Sequence, residues 1–269
     1  MAKIADKSVK SFDGTSLFYR INKSGRQCVV FLHGLGLNYT CFRKEQEYFV
    51  KKGYSTINMD MRGHGISYGA DNFSLEAFAK DINEIIKTES ISKIILVGHS
   101  FGGMVALQFY KMHPKKVDGI ILVDSSYKLS LVTVRPSFLV FGFLPCRILN
   151  LIGWAMHKKV PSYDFTKCKH VYQIIYASSF VVSNPAMKSC IKSMRSSDLL
   201  TSLVKIDVPV LIIETKKDEI FSKLSYHILH KRIKQSQLDV IKGNHEIPLF
   251  NPEFLDREIE KYIKSKLVP

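Results

Sequence analysis

Ser100 stands in Gly98-His99-Ser100-Phe101-Gly102, a G-x-S-x-G pentapeptide, with four continuous apolar residues before it (Ile94 to Val97) and an apolar helical stretch after it (Met104 to Tyr110). The continuous run reads as a buried strand, since a half-exposed strand would alternate. A strand that becomes a helix within five residues bends so sharply that the positions two before and two after the serine crowd neighbouring backbone. Both are glycine here, and the bend lifts the hydroxyl above the edge of the sheet. A serine hydroxyl is a poor nucleophile at neutral pH unless a base removes its proton and an acid orients that base. The chemistry of Ser100 thus depends on a histidine and a carboxylate brought to it from elsewhere in the chain.

Of nine histidines, only His245 directly follows a late strand, Leu238 to Ile241, in a glycine-containing loop, Gly243-Asn244-His245, before the last helix. In a parallel sheet the functional loops lie at the carboxyl ends of the strands, so His245 is expected as general base and acid. His99 adjoins Ser100, but neighbours at such a bend point different ways. His227 and His230 fall in an expected helix, Phe221 to Ile233, and read as surface residues; His33 and His64 read as structural, bonding loop backbone. Two carboxylates follow strands: Asp218 after Val208 to Ile213, and Asp124 after Gly119 to Val123. Asp207 precedes its strand and lies at the wrong end of the sheet.

The elements that carry these loops are written in the apolar pattern. Val9 to Phe12 and Leu17 to Ile21 flank Asp13-Gly14, a type I′ hairpin signal. Cys28 to Leu32 is a wholly apolar strand ending at His33-Gly34. Phe42 to Lys52 is a helix stopped by Gly53 at C′, and Tyr54 to Met59 is a strand. In the loop that follows, Asp60 to Ser67, Asp60 and Arg62 are placed to pair. Ser74 caps a helix reaching about Lys87, with Leu75, Phe78, Ala79, Ile82, Ile85 and Ile86 on one face. Strands alternating with helices of this length imply right-handed crossovers and a mostly parallel sheet. From about Ser126 to Ile206 the alternation gives way to helical stretches rich in large apolar residues. It resumes with Val208, and Asn251-Pro252 opens the final helix in the favoured N-cap and N1 positions.

Four motifs, Phe31-Leu32-His33-Gly34-Leu35-Gly36, Asp60-Met61-Arg62-Gly63-His64-Gly65-Ile66-Ser67, the Ser100 pentapeptide and Gly243-Asn244-His245, occur in this order. Together they resemble the α/β-hydrolase-fold superfamily over nearly the whole chain, from about Phe12 to the last helix. The resemblance implies an α/β architecture: a mostly parallel eight-stranded sheet flanked by helices, with a helical lid inserted after the sixth strand. Residues 1–125 and 207–269 would form the two parts of the core and 126–206 the lid. It implies Asp218 as the acid, Asp124 being the position a minority of members use, and Thr215 departs from the pattern where glycine is common. The order Ser100, Asp218, His245 is that of these enzymes. Backbone N–H groups of Leu35 and Phe101 are implied as the oxyanion hole, donors that do not depend on side-chain identity.

The expected reaction is hydrolysis of a carboxylic ester, esterase- or lipase-like, through an acyl-enzyme on Ser100. Two apolar lid stretches, Ser137 to Met156 and Val171 to Val182, the second with Tyr172, Tyr176 and Phe180, predict an apolar acyl pocket. The first is interrupted by Pro145, Arg147 and Asn150, so it reads as a pair of lid helices able to touch a membrane surface weakly, not as a span. Serine at the bend argues against dehalogenase and epoxide-hydrolase relatives, which use aspartate there. A thioesterase, a carbon–carbon bond hydrolase or a cofactor-free perhydrolase would share the three residues, and a non-catalytic ligand receptor of this fold would keep them too. No metal spacing and no phosphate-cradling glycine loop occurs, so neither a metal nor a cofactor is expected.

A chain of 269 residues that is 46% hydrophobic can bury the core of one α/β domain with an insertion. The formal charge of +15 invites a nucleic-acid or anionic-membrane partner, but the lysines are spread as pairs and only Lys231-Arg232-Ile233-Lys234 clusters. Without a nucleic-acid motif beside them, a solvated basic surface is the expectation. Five cysteines, odd in number and scattered, point to reduced thiols and a cytoplasmic protein, and the start MAKIADKSVK lacks the apolar stretch of a secretory signal.

Overall fold

Strands that are apolar on both faces need a layer of helices on each side, and the computed structural model, which describes residues 3–25, 27–135 and 164–267, has that arrangement. Strands β1 (Ala5–Lys10), β2 (Ser16–Asn22), β3 (Cys28–Leu32), β4 (Ser55–Met59), β5 (Ile94–His99), β6 (Val117–Val123), β7 (Val210–Lys217) and β8 (Ser236–Asn244) form one sheet of order β1-β2-β4-β3-β5-β6-β7-β8. β1 pairs with β2, and β2 with β4, antiparallel; every other pairing is parallel. The expected mostly parallel, eight-stranded sheet flanked by helices is the fold observed.

Alternate residues of the central strands enter two separate cores. Val30 and Leu32 of β3 pack on one side with α2 (Leu75–Thr88) and α3 (Phe101–Met112). Val29 and Phe31 pack on the other with Phe49 of α1 (Arg43–Lys51) and with residues near the C-terminus. Ser74 caps α2 by accepting the Ala77 N–H, and the expected apolar face of that helix, Leu75 through Ile86, is buried. After β6 the chain leaves the sheet. Among the described residues of the insertion, α4 (Val171–Val181) and α5 (Asn184–Ser196) bury Ile174, Ala177 and Val181, and Ala186, Cys190 and Met194, at helical spacing. Val171, Ile175 and Phe180 remain exposed. The Ser137 to Met156 run lies outside the described residues. The chain then returns as β7, α6 (Lys223–Arg232), β8, the short α7 (Ile247–Phe250) and α8 (Pro252–Lys266), the last with Leu255, Ile259 and Ile263 buried against the α1 side.

Two local expectations are corrected, and a third, the opening of the last helix, holds in position. The first hairpin is not a two-residue type I′ turn: β1 and β2 end at the Lys10–Ser16 pair, Gly14 N–H bonds Ser11 O, and only Gly14 takes a positive φ, +85°. The wider turn lets Asp13 reach Arg62, at 2.8 Å. Asp60 and Arg62 do not pair. Arg62, fully buried, forms a fork on Asp81 (2.6 and 2.7 Å), whereas Asp60 accepts the N–H groups of Tyr39 and Ile66, both at 2.7 Å. A buried guanidinium needs bidentate carboxylate geometry, which the helix residue supplies and a loop neighbour two positions away does not. Asn251 occupies the N-cap position of α8, with Pro252 following, but its side chain makes no capping bond.

Candidate active site

The residues singled out in the sequence follow five strands that are neighbours in the sheet: Leu35 after β3, Ser100 after β5, Asp124 after β6, Asp218 after β7 and His245 after β8. All lie at carboxyl ends, where parallel strands open onto one common edge. Ser100 is held at φ +52° and ψ −116°, a conformation that L-residues avoid. Its N–H bonds Val123 O at 2.9 Å, and its carbonyl accepts the hydroxyl of Ser125 at 2.6 Å. The glycines explain why so tight a bend is possible: a Cβ at Gly102 would lie 2.1 Å from Leu32 O, and one at Gly98 would lie 2.5 Å from Gly102 O.

The imidazole of His245 bridges the two partners. Its Nε2 is 3.0 Å from Ser100 Oγ and its Nδ1 is 3.0 Å from Asp218 Oδ1. Asp218 Oδ1 also accepts the N–H groups of Ile220 (2.7 Å) and Phe221 (3.2 Å), and Oδ2 accepts the hydroxyl of Tyr226. Burial disfavours charge on both groups, but the mutual attraction wins: Asp218 is held below the usual carboxylate range, and His245 is pushed up to about 9 by the Asp218 charge. Tight placement of the ring comes from two further bonds: His245 N–H donates to Glu219 at 3.2 Å, and His99 Nε2 meets His245 O at 2.7 Å. His99 therefore faces away from the Ser100 hydroxyl and holds the loop that follows β8.

Leu35 and Phe101 present backbone N–H groups with no acceptor among the described residues. Their loops touch, since a Cβ at Gly34 would meet His99 Nδ1 at 2.9 Å. Above them sit the insertion helices: the space beside Gly36 is bounded by Ser178 of α4 and Met187 of α5. His33 and His64 do what was expected of them, bonding Gly34 O at 2.8 Å and Arg62 O at 3.0 Å. His227 and His230 are exposed on α6, and Asp207 bonds Tyr110 at the opposite end of the sheet. Sequence reasoning missed Tyr226, Glu219 and Ser125, each of which is fixed by a tertiary contact and not by a local pattern. Thr215 did give a signal, as the departure from glycine: its N–H and hydroxyl bond Asp124 at 2.8 Å each.

Asp124, Asp218 and His245 bring potential metal-ligand atoms within 4.8 Å of one another. Those atoms are already engaged by Thr215, Tyr226, Ser100 and backbone N–H groups, so the described residues build a hydrogen-bonded network there. A serine beside the free nitrogen of an oriented imidazole, with two idle N–H groups close by, is an arrangement suited to attack on a carbonyl carbon.

A family model described as serine aminopeptidase, S33, matches residues 23–249. A Bacillus subtilis protein described as belonging to the AB hydrolase superfamily is 27% identical over 246 residues, covering 86% of this chain and 88% of that protein. A non-heme haloperoxidase from Rhodococcus erythropolis is 25% identical over 275 residues, covering 96% of this chain and 99% of its own length. Among solved structures, an esterase from Exiguobacterium antarcticum superposes with a TM-score of 0.76 at 24% identity, over 97% of this chain and all of that one (100%).

Proposed function

Because the chain belongs to the serine aminopeptidase S33 family of the α/β-hydrolase superfamily, we propose that it is a serine hydrolase that cleaves carboxylic esters with an apolar acyl group. In this reading His245 takes the proton of Ser100 as the hydroxyl attacks the ester carbonyl. Asp218 steadies the imidazolium, and the N–H groups of Leu35 and Phe101 hold the oxyanion, each worth about 3 kcal/mol in the transition state. The imidazolium then passes its proton to the leaving alcohol. Water, activated by the same ring, releases the acid from Ser100. The observation that carries the reading is the pair of 3.0 Å contacts on opposite nitrogens of one buried ring.

Residues 126–206 are proposed as the lid of this site, with 1–125 and 207–269 as the core. The position of Ser178 and Met187 beside Gly36 supports this, and the apolar character of the insertion favours an acyl chain over a charged one. Cys28, Cys41, Cys168 and Cys190 are buried free thiols, in keeping with a reducing, cytoplasmic setting. No helix among the described residues is long and apolar enough to cross a membrane.

Turnover of p-nitrophenyl esters of graded chain length, beside an amino-acid p-nitroanilide, tests the proposal. Esters are expected to be cleaved and the anilide to lag far behind. Ser100→Ala is expected to lower kcat by more than about a thousandfold, because the three residues act as a unit. Unimpaired turnover by that variant would remove Ser100 as the nucleophile; preference for the anilide would move the assignment to a peptidase.

A further inference from the structure

Behind Asp218 lies a second carboxyl group that the mechanism above leaves unused. Asp124, fully buried at φ +42° where β6 ends, receives the N–H of Thr215 at Oδ1 and the Thr215 hydroxyl at Oδ2, both at 2.8 Å. Tyr226 of α6 sets its hydroxyl between the two carboxyl groups. It is bonded to Asp218 Oδ2, and the same oxygen lies 3.3 Å from Asp124 Oδ1. A phenol has one proton to give. With that proton on Asp218, the Tyr226 oxygen and Asp124 Oδ1 face each other as two acceptors unless Asp124 carries a proton of its own.

Resting on the assignment of Ser100, Asp218 and His245 made above, we propose that Asp124 is held protonated and donates to Tyr226. Asp124 and Tyr226 are then positioning residues, a chain running Asp124, Tyr226, Asp218, His245 that fixes the outer oxygen of Asp218 and sets how readily the ring accepts the Ser100 proton. Burial first, and then the charge of Asp218, push Asp124 up to about 8 against the pull of His245 and Thr215. Burial followed by the two carboxyl groups raises the Tyr226 phenol well above its ordinary value, so it remains a donor. The other charged groups around the chain are Glu219 beside Asp218, Glu246 beside His245, and Glu214 on β7, which faces Lys223 and His227 of α6 and Arg135. His99 is kept neutral by burial beside His245. None of these groups is hydrogen-bonded to Asp124 among the described residues.

A neutral Asp124 leaves one negative charge next to the ring in place of two. Removing the Tyr226 hydroxyl takes a donor from Asp218, so the carboxylate holds the imidazolium more strongly. Replacing Asp124 by asparagine prevents the second charge from developing as pH rises, so the imidazolium is held less strongly. The pH dependence of kcat/KM on a p-nitrophenyl ester is therefore expected to move in opposite directions. In Tyr226→Phe the ascending limb shifts up by about half a unit, about a threefold loss on that limb; in Asp124→Asn it shifts down. The wild-type minus Asp124→Asn infrared difference spectrum near neutral pH is expected to contain the carbonyl band of one protonated carboxyl group, the bands of the buried Glu45 and Asp256 cancelling between the two proteins. Equal losses at every pH with the limb unmoved, or a wild-type minus Asp124→Asn difference spectrum that lacks this band, would overturn the proposal. If the wild type cleaves no ester, the active-site reading itself has failed. The difference spectrum still decides whether Asp124 holds a proton, and if Asp124→Asn does not fold, a shift of the carboxyl band in Tyr226→Phe, whose hydroxyl lies against Asp124, decides it in its place.

Discussion

The ring of His245 is under two opposing pressures. Burial favours its neutral form, but Asp218 at 3.0 Å lifts its pKa to about 9. In the proposed mechanism attack by Ser100 needs the neutral ring, so kcat/KM is expected to climb as pH rises past the ordinary histidine value near 6.5 and to level off only toward 9. Asp218→Asn removes the main cause. Its limb is expected to fall back toward or below 6.5 while kcat drops by about ten-thousandfold, as the ring loses its oriented tautomer; a pH series of initial rates measures both. The sign for stability is the reverse. The folded ring binds its proton more tightly than the unfolded one, so this contribution is complete below about 6.5 and lost as pH passes through 9. At this scale the sequence is informative where a residue sits at a strand end: Ser100, Asp218 and His245 each follow an apolar run that can be recognised without a structure. Tyr226 and Arg62 were opaque because their partners are chosen by packing. Nothing local tells Arg62 to fork on Asp81 of α2 in preference to Asp60.

Helices and strands were legible wherever burial follows a simple period. β3, β4 and the first two helices begin and end within a residue or two of their apolar patterns, since each has one or both faces in a core and a recognisable stop. The hairpin turn misled, because Asp13-Gly14 satisfies a two-residue pattern while Asp13 is recruited to Arg62. The packing of α1 on α8 also carries a feature that hydrophobicity conceals. Glu45 of α1 is fully buried with neither carboxyl oxygen partnered among the described residues, and Asp256 of α8 has one oxygen in the same condition. Burial, and then the charge of Asp256, raise Glu45 well above its ordinary value; burial, then Glu253 and Glu260, lift Asp256 to about 7. Both carboxyls stay protonated in the fold at a pH where the unfolded chain has released the proton. Stability from this seam is therefore full below about 3.8 and declines as pH rises through about 7. Asp256→Asn is expected to leave stability near the wild-type value at pH 4 and to exceed it by about 2 kcal/mol at pH 8, read from denaturant midpoints at the two pH values.

Across the whole molecule, a formal charge of +15 and a group of buried histidines set the acid limit. His33, His64 and His99 are fully or almost fully buried, and desolvation by burial lowers all three, His64 to about 4 and His99 to about 3. The unfolded chain takes up protons at these rings from about pH 6.5 downward while the native state refuses them. The contribution of these three rings is thus expected to be flat above that pH and to fall between it and about 4, by ~1.4 kcal/mol per pH unit for each ring, with charge repulsion adding to the slope. His64→Gln is expected to make the decline shallower by one such increment in urea titrations at pH 7, 6 and 5. The position of β8 at the margin of the sheet has a further consequence. It delivers His245 to a hydroxyl 145 residues earlier in the chain. A polypeptide leaving the ribosome therefore displays its serine long before any imidazole can reach it. In the proposed mechanism, reactivity requires that final strand to be seated on its neighbour, so a chain that stops short of β8 is expected to turn over no ester.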